Sequence, residues 1–86
     1  MEKNITIYDN MGETYDRVTV VFNDTKRVAV GGIGLEYDAL GCSEIGAGFF
    51  NHTTAMKGSH LGKKVKFSDL HPELKDRLNN YFLTDN

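Results

Sequence analysis

Eight of the nine glycines fall between positions 31 and 62 of this 86-residue chain. Glycine loses more backbone freedom on folding than any other residue, and it belongs where φ is positive or chains approach closely. A structureless stretch of that length is foreign to a compact domain, so something must order the middle. A domain near this size buries only roughly 60–65% of its unfolded surface, and cores this small commonly rely on a disulfide, a metal or a partner subunit. The single cysteine, Cys42, rules out an internal disulfide. A metal, an oligomer or the core alone must then hold the chain as one domain over 1–86.

The flanks are easier to read. Residues 4–8 alternate β-branched and aromatic types and predict a strand, Asp9 to Gly12 a turn, and residues 17–22 a second, stronger strand. Residues 23–26 predict another turn and 27–30 a third strand, so the first part reads as an antiparallel meander. Residues 35–40 suggest a helical turn, Phe49 and Phe50 a buried pair, and Val65 with Phe67 one more short strand. Leu70, Leu74, Leu78 and Phe82 recur every four residues, the apolar stripe of one helical face. Pro72 suits the first helical position, where its missing N–H costs nothing. The spacing predicts a helix over about 70–83, with Glu73 and Asp76 near its positive end. The expected fold is α+β: a small antiparallel sheet of three to four strands, a glycine-rich metal-ordered middle and one C-terminal helix.

Thiolate and imidazole are the side chains zinc prefers, and Cys42, His52 and His60 lie in or beside the glycine-rich segment. Their spacing lacks the short CxxC or HxxxH intervals of familiar zinc motifs. A closed structural site wants a fourth ligand, and Asp9, Asp16 and His71 are the candidates. A hairpin would bring Asp9 and Asp16 to one end of the sheet, so Asp9 is favoured and Asp16 is its substitute; turn chemistry explains both equally well. The expected cofactor is structural Zn²⁺ on Asp9, Cys42, His52 and His60. The alternative is a small metal-dependent enzyme, nuclease-like, with carboxylates and imidazoles around a catalytic ion. Gly31-Gly32-Ile33-Gly34 lacks a phosphate-loop pattern and reads as a strand-ending turn. Cys42 as a nucleophile has no local motif behind it.

Charge is uneven along the chain. Residues 1–40 carry seven acids (Glu2, Asp9, Glu13, Asp16, Asp24, Glu36, Asp38) against Lys3, Arg17, Lys26 and Arg27. Net charge is −2 overall, which supports neither direct nucleic-acid binding nor wholesale DNA mimicry. Lys57, Lys63, Lys64 and Lys66 read as a solvated basic run. Tyr8, Tyr15, Tyr37 and Tyr81 read as core or sheet packing, or as interface anchors if exposed. No apolar run approaches the roughly 20 residues of a membrane helix, and a lone thiol without a secretory leader points to a reducing, cytosolic setting.

Two stretches carry a family resemblance. Ile-Thr-Ile-Tyr-Asp-Asn at 5–10 with Asp-Arg-Val-Thr-Val-Val at 16–21 resembles the opening of small phage and prophage proteins with a hairpin built around an aspartate pair. His-Leu-Gly-Lys-Lys-Val-Lys-Phe-Ser-Asp-Leu at 60–70 resembles their closing segment, and Gly48, Phe49 and His52 sit where that pattern places them. His71 departs from it, standing where the helix-leading proline is expected. The chain resembles members recruited as type II anti-CRISPR proteins. That resemblance implies an inhibitor rather than an enzyme, with Cas9 of the bacterial host as partner and the host cytoplasm as location. It also supports Asp9, Asp16, His52 and His60 as a site, and says less about Cys42.

Overall fold

The computed structural model describes residues 4–12, 17–28, 31–32, 34–42 and 50–84, without the side chains of 50, 51, 83 and 84. Its elements are β1 (Ile5–Asp9), β2 (Val18–Phe22), β3 (Arg27–Val28), β4 (Leu35–Cys42), β5 (Phe50–Ala55), β6 (Lys63–Val65) and the helix α1 (Pro72–Thr84). All pairings are antiparallel. The main lanes run β6, β1, β2, β4, β5 across the sheet, and β3 takes up the pairing with β4 after the turn at Asn23–Thr25.

The alternation in β1 and β2 sorts side chains to two faces because strand residues point to opposite sides in turn. Ile7, Val18, Val20, Leu40 and Cys42 form a buried cluster with Leu70, Leu74, Leu78 and Phe82, so α1 lies over that face. The four-residue stripe is therefore the helix's packing face, as its period requires. Tyr8, Val21 and Ala39 are buried on the other face, where Leu61 from the β5–β6 connection packs beside Tyr37 and Ala55. All four lysines of the basic run are exposed, with Lys63, Lys64 and Lys66 on or beside β6 and the Lys57 ammonium 4.7 Å from the centre of the Tyr37 ring.

The helix begins at Pro72 and is capped by a residue the resemblance had set aside. His71 Nδ1 accepts the Glu73 N–H at 3.2 Å, and the His71 carbonyl accepts the Lys75 N–H at 3.0 Å. One otherwise unsatisfied first-turn donor is met by this imidazole.

Two expectations are corrected. Residues 35–40 are not a helical turn but the first part of β4, an eight-residue strand. Leu, Ala and Glu favour helix when isolated, but here a strand on each side pairs with β4 and buries its last four residues. The sheet accordingly has six strands rather than three or four. Within the described part of the glycine-rich middle, β4 is held by its pairing with β2 and β5. Of the expected third strand, Arg27 and Val28 are extended and residues 29 and 30 lie outside the described residues. Phe49 and the side chain of Phe50 lie outside the described residues, as does Tyr15.

Candidate functional site

Register fixes where the expected zinc ligands stand. One row across the helix-covered face reads Lys63, Asp9, Val18, Cys42, and the next reads Val65, Ile7, Val20, Leu40, His52. Neighbouring strands are about 4.8 Å apart, so Asp9 and Cys42 are separated by about 10 Å with Val18 between them. Cys42 and His52 are diagonal neighbours on adjacent strands, at the about 7–8 Å typical of such pairs. His60 is elsewhere: it is exposed in the short turn Ser59–Leu61, whose Leu61 packs on the opposite face. Asp16 lies outside the described residues.

Asp9 and Cys42 each have a local role. The Asp9 carboxylate accepts the Met11 N–H at 2.7 Å and the Arg17 Nε–H at 2.9 Å, with Arg17 Nη2 at 3.4 Å. Partial burial opposes its ionisation, but the Arg17 bond, the Met11 N–H and the charges of Arg17 and Lys63 outweigh that. They hold its pKa below the ordinary aspartate value. This is turn chemistry with an ion pair. Cys42 is 1% exposed within the core, its Sγ 3.9 Å from the Leu40 carbonyl. Among the described residues no three His, Cys, Asp or Glu side chains group so as to hold a metal. Tetrahedral zinc needs donors converging on one point at about 2.0–2.3 Å, and among the described residues Asp9, Cys42 and His60 stand apart from one another. Protein purified without added metal is expected to contain well under one zinc per chain by elemental analysis. One equivalent that disappears in Cys42→Ser would restore the zinc site.

A different constellation does come together. An open groove of about 390 Å³ lies at the end of the helix-covered face and is lined by residues of β1, β2, β4, β5 and α1. Tyr81 of α1 stacks on Phe22 of β2, with ring centres 6.4 Å apart and planes 28° apart, and His52 of β5 approaches the same ring at 5.8 Å. Asp24 and Asp38 stand among the lining residues, with Asn4 and Thr25. Thr25 is the fastener here. Its hydroxyl donates to the Phe22 carbonyl at 2.7 Å and accepts the Asp38 N–H at 2.7 Å, pinning the Asn23–Thr25 turn to β4. Asn4 Nδ2 donates to Asp24 Oδ1 at 3.0 Å, fixing that carboxylate against the start of β1. Arg27 bridges Asp38 at 2.9 Å and Glu36 at 3.2 Å just beyond the groove.

The arrangement joins aromatic faces with carboxylates in a concavity of the size that takes a ligand or a partner side chain. Of the expected site residues that are described, His52 alone belongs to it. Phe22, Asp24, Asp38 and Tyr81 were not singled out together in the sequence, because three distant segments supply them and no local spacing links them. No protein-family profile, curated protein or solved structure matches the chain.

Proposed function

We propose that this protein acts by binding, as a phage-encoded inhibitor of host Cas9 of the anti-CRISPR class. The observation that carries the binding reading is the groove, a pre-shaped surface in which Tyr81, Phe22 and His52 line a concavity bearing Asp24 and Asp38. Aromatic anchors at a concave, partly charged surface are the usual makings of an interaction hot spot. The choice of Cas9 comes from the resemblance of residues 5–10, 16–21 and 60–70 to small phage proteins, some recruited as anti-CRISPR proteins. The acidic balance of the first forty residues, which supply Asp24 and Asp38, is also the right sign for a protein whose nucleic-acid channel is positively charged. Such an inhibitor works in the host cytoplasm. No helix among the described residues is long and apolar enough to cross a membrane.

The nuclease-like alternative draws less support, since Asp9 already serves the hairpin turn and Arg17. The decisive experiment mixes purified protein with guide-loaded Cas9. A stable complex on size-exclusion chromatography and loss of target-DNA cleavage are expected. Unchanged cleavage at a large molar excess, with no co-elution, would overturn the proposal.

A further inference from the structure

We infer that the groove receives an arginine side chain presented by the partner protein, an inference that rests on the binding reading above. The walls match a guanidinium in both of its properties. It is planar, weakly hydrated and stacks on aromatic faces, and Tyr81, Phe22 and His52 supply such faces. It is also a permanent cation with a fork of donors that suits carboxylates, and Asp24 and Asp38 stand in the same concavity. A lysine ammonium meets the charge but not the plane.

The chain contains its own precedent for this recognition. Arg27 places Nη1 2.9 Å from Asp38 Oδ1 and Nε 3.2 Å from Glu36 Oε2, so this stretch of β4 already holds one guanidinium between acidic side chains. The Asp38 side chain is still 54% exposed. A carboxylate offers about four lone-pair sites, which lets a second guanidinium bond to it from the groove side. Asp24 is likewise exposed, and Asn4 holds it in place. Arginine is thus the occupant for which shape and charge agree.

The test uses the full chain labelled with ¹⁵N and a capped Gly-Gly-Arg-Gly-Gly peptide, compared with the same peptide carrying citrulline, which keeps the shape and loses the charge. Saturable amide shifts are expected around Ala39, Thr53 and Tyr81. Binding should weaken by about tenfold with citrulline, and by a similar factor in Asp24→Asn, Asp38→Asn and Tyr81→Ala. Amide dispersion and circular dichroism identify any variant that misfolds. Equal affinity for the two peptides, shifts that map elsewhere, or no saturable shift would each overturn the inference. Cas9 inhibition separates this from the underlying reading. If the wild type inhibits Cas9 and Asp24→Asn/Asp38→Asn inhibits equally well, the groove inference falls and the inhibitor reading stands. If the arginine peptide binds as expected and Cas9 is untouched, the inhibitor reading falls and the groove stands.

Discussion

Gly62→Ala is expected to destabilise the fold by about 3 kcal/mol or more, through a clash that no side-chain movement relieves. Gly62 has φ +110°, a backbone state L side chains rarely adopt, and it immediately precedes β6. A Cβ built there would lie 2.6 Å from the Asn10 Cα and against the backbone of Asp9. These are main-chain atoms of the β1 end, so the strand itself must move and the pairing of Asp9 with Lys63 is lost first. Gly31→Ala is the informative control. Gly31 has φ +93° with nothing within 4 Å of the added carbon, so it reports conformational strain alone. Denaturant unfolding of both variants separates the two effects. A Gly62→Ala variant no less stable than Gly31→Ala would show that β1 and the β6 approach are not in contact as described.

Leu78→Ala should be comparably severe. Leu78 is wholly buried at the centre of the helix stripe, against the cluster that includes Val20 and Leu40. Removing buried leucine methyls typically costs about 2–5 kcal/mol, the larger figure where the cavity cannot collapse. In a domain of this size each kcal/mol lowers Tm by roughly 4–8 °C, so a fall of about 15 °C is expected in a thermal melt. Leu78→Met, which conserves volume, should stay within about 1.5 kcal/mol of the wild type. A Leu78→Ala melt within about 3 °C of the wild type would contradict the packing of α1 on the sheet.

These two positions also mark what the sequence could and could not say. Leu78 was legible because helical packing repeats locally, and Leu70, Leu74 and Phe82 announce the same face. β1 and β2 were legible for the same kind of reason, an alternation that runs within five residues. β4 was misread because its residues carry helix-favouring types, and only the flanking strands decide against helix. β5, with Asn51, His52, Thr53 and Thr54, has neither charge nor a clear apolar alternation, and its strand state comes from its pairing with β4. The groove was illegible as a site because Asp24 and Asp38 reach it only after the Thr25 hydroxyl ties their segments together. Cys42 and His52 drew attention by composition and do end up on adjacent strands, but Cys42 is packed in the core while His52 turns to the Tyr81 ring in the groove.

The lane order has a temporal consequence. β1 meets β2 through a short hairpin, Ile7 facing Val20, while its other edge waits for β6, Ile7 facing Val65. The first contact closes a separation of 13 residues (20 − 7) and the second one of 58 (65 − 7). On loop-closure scaling alone the second is dearer by about 1.3 kcal/mol. The hairpin therefore belongs to the early part of folding, and the β6 edge, with the Gly62 approach that admits it, to the downhill side of the barrier. Damage at Gly62 should register mainly as faster unfolding and leave the folding rate nearly untouched.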